Sequence, residues 1–203
     1  LEEEGESWLG HGLKPLIRSV EVAIKGRHNL ANALAALALG HAAGLDMAAM
    51  LQTLRHFKGL PHRCEHVLTV DNITYIDDSK GTNIGATVAA INGFGESDRA
   101  NLILIAGGQG KGQSFSELQA PIAKFVKLVV LFGEDAGLIA EALAGTTQIE
   151  RLNSLQSAVD CARAAAQPGD IVLLSPACAS FDMFSGFEER GRCFQQTVMA
   201  VAA

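Results

Sequence analysis

The sequence predicts an α/β fold built on a mostly parallel sheet with helices on both faces. Three observations lead there. The apolar runs "NLILIA" (101–106), "KLVVLF" (127–132) and "DIVLLS" (170–175) are continuous rather than alternating, as in strands buried on both faces. Helical sequence separates each run from the next, and that succession gives parallel strands joined by crossover helices. Each run also ends directly in a loop rich in glycine or polar residues, the edge where open α/β sheets bind ligands.

From the N-terminus, "LIRSVEVAI" (16–24) alternates like a half-buried strand and is punctuated by "GRHN". From about His28, "LANALAALALGHAAG" places alanine and leucine at helical spacing and ends on Gly44, a C-cap. A second helix spans about Asp46 to His56, with Asp46 as N-cap and Met47, Met50, Leu51 and Leu54 on one face. "KGLPHRCE" then sets a glycine and a proline between a helical and a strand pattern, so a boundary is expected near residue 60, between units of 1–59 and 60–203. "EHVLTV" and "ITYID" flank Asp71 and Asn72 and suggest a hairpin, although Asn-Gly and Asp-Gly are the favoured turns. A helix is expected to begin near Thr82, capped by Asp78, Ser79 and Thr82. Ser114 with Glu117 forms a capping-box pattern for a helix over about 115–126, and "SLQSAVDCARAAA" (154–166) is a helix stopped by "QPGD".

Composition sets the outer limits. The 203 residues fit one large or two smaller domains with a real core. Sixteen basic and twenty-two acidic side chains give a net charge of -6 with no like-charged block. That argues against nucleic acid and anionic membrane as general partners while leaving room for a local basic site. Cys64, Cys161, Cys178 and Cys193 form no C-x-x-C pair, which argues against a zinc site or a disulfide framework and for reduced thiols in a cytoplasm. The longest apolar stretch, Leu30 to Ala43, is broken by Asn32 and His41 and falls short of the roughly 20 residues of a membrane span. The chain starts at Leu1 inside structured sequence, and is expected to be a piece of a longer protein.

If the strands are parallel, four loops converge: "DDSKGTN" (77–83), "GGQGKGQS" (107–114), "GED" (133–135) and "SPACAS" (175–180). Lys80 beside Ser79 and Thr82 at a helix start suits a carboxylate or phosphate, although a single lysine is usually just solvated. "GGQGK" fails the Walker pattern G-x-x-x-x-G-K-[ST], since residue 105 is Ile and residue 112 is Gly. Its glycines suit a tight turn, with Lys111 near the edge. Cys178 has no evident base and no G-x-S-x-G elbow around it, which favours packing over nucleophilic catalysis. Arg63 could fork onto phosphate or pair with an acid. Asn29 and Asn32 share a helix face.

Taken in order, "GRHNLANALAALALGHAAGL", "GLPHRCE", "YIDDSKGTN", "GGQGK" and "LLSPACASFDMFSGFEERG" resemble the latter half of a Mur ligase, the bacterial peptidoglycan-building family. The segments "DSKGTN" and "SPACASFDMF" are similar to those of the member that adds D-glutamate. The resemblance implies that residues 1–59 are the tail of a central α/β ATP-binding domain and 60–203 a complete Rossmann-like C-terminal domain. It implies an ATP-dependent ligase in which ATP phosphorylates the alanyl carboxylate of UDP-N-acetylmuramoyl-L-alanine and the D-glutamate amine displaces phosphate. By the same resemblance, Lys80 and Thr82 hold one D-glutamate carboxylate, with Ser180, the backbone at Phe181, and Phe187 around the other end. Asn29 and Asn32 are adenine-side amides, Arg63 a phosphate contact, Asp78 a ribose contact with His62 beside it, and Lys111 a lysine near the site. The chain departs from the family pattern at Asp77, Gly81 and Gln109, where Asn, Ala and Asp are expected. The phosphate loop, the Mg²⁺ ligands and the carbamylated lysine have no counterpart here, so the chain alone is expected to be inactive. Two other readings remain: a related ligase for another amino acid, and a Rossmann-like binding module without catalysis.

Overall fold

In a computed structural model the chain is described over residues 2–3, 6–24, 26–96 and 99–201. It divides into two compact units, Leu1–Gly59 and Leu60–Ala203.

In the first unit β1 (Glu2–Glu3), β2 (Glu6–His11) and β3 (Lys14–Arg18) form an antiparallel sheet. The strand expected over 16–24 therefore stops at Arg18. A 3-10 turn, Ser19–Glu21, follows because the Glu21 carboxylate accepts the Arg18 N–H at 3.2 Å and folds the chain back. Val20 is left exposed, while Val22 joins Leu9 and Ile17 in the core. Helix α1 (Arg27–Ala42) closes that core through Ala33 and Leu37. It ends as expected on Gly44, at φ 77°, where the N–H groups of Gly44 and Leu45 return to His41 and Gly40 carbonyls at 3.0 and 2.9 Å. Asp46 caps α2 (Met47–His56) by accepting the Ala49 N–H at 2.8 Å.

The second unit opens with β4 (Glu65–Val70) and β5 (Ile73–Asp77), an antiparallel hairpin in which Val70 faces Ile73. Asp71 and Asn72 sit at φ 51° and 59°. Both turn residues are left-handed, the geometry that matches strand twist and that Asn and Asp tolerate best after glycine. The chain continues through α3 (Ile84–Phe94), β6 (Leu102–Gly107), α4 (Gln119–Phe125), β7 (Val126–Phe132), α5 (Ala136–Ala142), β8 (Gln148–Arg151), α6 (Leu155–Ala165), β9 (Ile171–Leu174) and α7 (Phe187–Val201). One six-stranded sheet results, in the order β4-β5-β9-β6-β7-β8, parallel except for β4. This is the mostly parallel arrangement that the apolar runs predict, in the Rossmann-like form that the resemblance implies.

Two local expectations fail. Asn83, not Asp78, Ser79 or Thr82, caps α3 by accepting the Ala86 N–H at 3.0 Å. Ser114 makes no cap bond and pairs with Ser116 instead; residues Phe115–Leu118 form a 3-10 turn before α4. Pro121 explains the break, since it lacks an N–H and its ring crowds the carbonyl four residues back. Strand β8 goes unpredicted because it is a polar edge strand, paired only to β7, with three of its four residues exposed.

Alternate residues of each strand point to opposite faces. Leu102, Leu104, Val129, Leu131 and Leu173 pack on α3, α4 and α5. Ile103, Ile105, Val130, Val172 and Leu174 pack on α6 and α7. Chain leaving β5 therefore turns to one face, into α3, and chain leaving the adjacent β9 turns to the other, into α7. The carboxyl ends of β5 and β9 flank a topological switch point, where a crevice opens in this class of sheet.

Candidate ligand site at the carboxyl edge of the sheet

Because β4 runs antiparallel to β5, the residues entering β4 lie beside those leaving β5. The His62 carbonyl accepts the Lys80 N–H at 3.0 Å, and the Cys64 N–H donates to Asp78 Oδ1 at 3.2 Å. The His62 ring is buried, its Nδ1 2.7 Å from Asp77 Oδ2. It rests on α7 at Gly191, where an added Cβ would come within 2.1 Å of Nδ1. The Gln195 amide donates to Asp77 Oδ2 at 2.8 Å and to Glu65 Oε2 at 3.0 Å. His62, Glu65 and Asp77 have the spacing of a metal site, but the Gln195 nitrogen already bridges both carboxylates and closes the network with hydrogen bonds.

Asp78 is 6% exposed and turns its carboxylate inward, accepting the Ser175 hydroxyl at 2.7 Å as well as the Cys64 N–H. Burial pushes its pKa up to about 6. Gly81 makes this possible: a Cβ there would stand 2.5 Å from Asp78 Oδ2 and 2.7 Å from Ser175 Oγ. Lys80 is half-buried, with its Nζ 3.9 Å from the centroid of the Phe187 ring, a cation–π contact. Thr82 follows, half-buried, its N–H on the Lys80 carbonyl at 2.8 Å.

The loop after β9 is stitched to this one. The Ala177 N–H donates to the Gly81 carbonyl at 2.9 Å. Ala179 and Gln109 exchange both backbone bonds at 2.9 Å, which draws in the loop after β6. Ser180 is buried, Phe181 is 66% exposed, and Lys111 is exposed at the tip of its loop. Cys178 is fully buried, and burial pushes its thiol up to about 12, which argues against a thiolate nucleophile at neutral pH.

Of the sequence-predicted site residues, Lys80, Phe187 and His62 are joined through direct contacts; Asp78 is held instead by Cys64 and Ser175, and Thr82 and Ser180 lie on the two stitched loops. Arg63 is exposed beside His62 at the same edge. Asn29 and Asn32 belong to the first unit, on the opening turns of α1, where the Asn32 amide reaches Asn29 Oδ1 at 3.4 Å. Arg190 escaped the sequence reading. Its signal is its register: Arg190, Phe194 and Val198 recur every four residues, so the arginine shares the apolar face of α7.

Residues 62–178, more than half of the chain, match the family described as "Mur ligase, glutamate ligase domain". The chain belongs to the Mur ligase family. UDP-N-acetylmuramoylalanine–D-glutamate ligases are similar across nearly all of it. That of Acinetobacter baylyi is 54% identical over 98% of this chain and 45% of its own, and that of Pseudomonas aeruginosa 51% identical over 100% and 45%. The Mur ligase chain thus spans about 45% of the length of these curated relatives. Solved structures share the fold at low identity. The UDP-N-acetylmuramate-alanine ligase of Thermotoga maritima superposes with a TM-score of 0.64 at 19% identity, covering 88% of this chain and 39% of its own. The folylpolyglutamate synthase of Mycobacterium tuberculosis gives 0.63 at 16%, covering 93% and 43%.

Proposed function

We propose that this chain is the amino-acid-recognising part of a ligase that joins D-glutamate to UDP-N-acetylmuramoyl-L-alanine in peptidoglycan synthesis. The observation that carries the reading is the stitched edge, where the Ser79–Thr82 segment meets the Ala177–Phe181 segment through the Ala177–Gly81 bond. A dianionic amino acid requires a cation and N–H or hydroxyl donors at two separated points, and that pairing also fixes its handedness. Lys80 and Thr82 would take one carboxylate, with Ser180, the Phe181 backbone and the Phe187 ring around the other end. The similarity of nearly the whole chain to UDP-N-acetylmuramoylalanine–D-glutamate ligases supports D-glutamate as the amino acid. Lys111 would stand at the rim.

Residues 1–59 would be the end of a central ATP-binding domain and 60–203 the C-terminal domain. The residues present fit ATP in part. Arg63 is exposed and suits a phosphate, while Asn29 and Asn32 would take the adenine, and His62 backs the loop that carries Asp78. A ribose contact from Asp78 first requires its bond to Ser175 to open, because the carboxylate is inward and engaged. When bound, ATP with Mg²⁺ supplies the activation of the acceptor carboxylate. The phosphate loop, the magnesium ligands and the UDP-sugar site are proposed to lie outside these 203 residues, since the relatives are more than twice as long. No helix among the described residues is long and apolar enough to cross a membrane, and the nucleotide substrates suit a cytoplasmic setting.

Titrating the ¹⁵N-labelled chain with D-glutamate and, separately, L-glutamate tests the reading through the amides of Lys80, Thr82, Ser180 and Phe181. Shifts with the D-enantiomer alone are expected. Equal shifts with both would remove the stereospecific site, and silence with both, repeated in the full-length ligase, would remove the amino-acid site altogether.

A further inference from the structure

We infer that Arg190 is a positioning residue that locks the two proposed ligand loops to each other, so that an anionic amino acid meets loops already fixed in place. The inference rests on the proposed amino-acid site, although the lock itself can be measured without ligand.

Arg190 has no exposed surface, and among the described residues no carboxylate stands within the 4.0 Å of an ion pair. A buried charge is ordinarily retained only with a partner ion, because removing it from water costs several kcal/mol. Here the guanidinium is met by neutral oxygens alone. Its Nε donates to Ser79 Oγ at 3.0 Å, one terminal nitrogen to the Ser79 carbonyl at 2.8 Å, and the other to the Cys178 carbonyl at 3.1 Å. Ser79 lies in the loop after β5 and Cys178 in the loop after β9, so one side chain spans the switch point. The Ser79 hydroxyl hands its own proton to the Phe187 carbonyl at 2.8 Å, which ties the start of α7 into the same knot.

The consequence is rotational. A peptide unit is planar, so holding its oxygen and its N–H fixes the whole unit. In the unit between Ser79 and Lys80, Arg190 holds the oxygen and the His62 carbonyl holds the N–H. In the unit between Cys178 and Ala179, Arg190 holds the oxygen and the Gln109 carbonyl holds the N–H. The first unit leads into Lys80, and the second precedes Ser180 by one residue. Lysine could not replace this arrangement, since it carries one point charge where the guanidinium offers a planar fork of donors. Burial draws the Arg190 pKa down to about 10, which leaves it charged at neutral pH. The Asp182, Asp77 and Asp78 carboxylates answer its charge from beyond ion-pair distance, so what Arg190 contributes at the loops is its fork of donors.

Amide hydrogen exchange on the 203-residue chain tests this, comparing wild type with Arg190→Lys and Arg190→Met. The Lys80 and Ala179 amides should exchange at least about tenfold faster in both variants, while Ile103 and Ile105 in β6 keep their protection. Unchanged protection at Lys80 and Ala179, or a loss shared equally by β6, would overturn the inference. Should neither variant fold, the wild-type Arg190 Nε proton decides. It should exchange at least about a hundredfold more slowly than that of exposed Arg63, and an equal rate would overturn the lock. With D-glutamate, wild type should bind at least about tenfold more tightly than Arg190→Lys; equal affinities would cut the link to the ligand. Wild type that shows the lock but binds no D-glutamate strikes the proposed function and leaves the lock standing.

Discussion

Asp78 carries a carboxylate that the fold keeps almost out of water, and its titration exposes what that costs. The folded chain holds the Asp78 proton to about pH 6, against an ordinary value of 3.8. Between those values the folded state binds more protons than the unfolded state, so this residue's contribution to stability falls as pH rises from about 4 through about 6. The loss is on the order of 3 kcal/mol. Asp78→Asn should remove it, so urea unfolding should show the variant gaining on wild type as pH is raised across that window. Gly81 sits against the same carboxylate. Gly81→Ala should cost about 1–3 kcal/mol through the crowding of Asp78 and Ser175, and a variant as stable as wild type would show that the pocket gives way freely. At Lys80 the argument concerns the ligand. Lys80→Ala should weaken D-glutamate binding by more than about 1 kcal/mol, because a charge-assisted contact is worth about 1.5–3. Calorimetry with unchanged affinity would take Lys80 out of the proposed site. The sequence singles out all three, but Asp78 only as a helix cap and a ribose contact and Gly81 only as a departure from the family pattern. The inward turn of Asp78 depends on Ser175, 97 residues away, and no local pattern reports it.

Among the elements, those governed by neighbours in sequence were legible. The caps at Gly44 and Asp46 follow from the backbone geometry of their own turns, and the hairpin at Asp71 and Asn72 follows from two strand patterns two residues apart. The left-handed angles at both turn positions make a direct prediction. Asn72→Gly should stabilise the chain by about 0.5–1 kcal/mol by relieving the cost of a side chain at φ 59°. Thermal unfolding would register it as a higher midpoint, and a lower one would mean that the Asn72 side chain contributes more than its backbone costs. The capping-box pattern at Ser114 misled because Pro121, seven residues on, forbids a continuous helix. β8 was missed because an edge strand with one half-buried residue has no apolar run to display.

The second unit covers both faces of its sheet with its own helices, and each face has its own cluster of buried side chains. Residues 60–203 should therefore fold alone, with cooperative urea unfolding. A non-cooperative transition, or the loss of helical circular dichroism, would show that this core relies on residues 1–59. The same construction places the site. Strand β9 comes last in sequence but enters between β5 and β6, so the loop at 175–180 arrives beside the loop at 78–82. Without that insertion, Arg190 would have nothing to bridge.

The sequence by itself determined the succession of strands and helices, the residue types in each loop, and the kinship with the Mur ligases, because periodicity, turn chemistry and motif text are all local records. Only the tertiary structure decided which loops meet, which way Asp78 turns, and that Arg190 is buried with neutral oxygens as its hydrogen-bond partners. Those outcomes are set by strand order and by packing between residues far apart in the chain, and a one-dimensional pattern carries no measure of either.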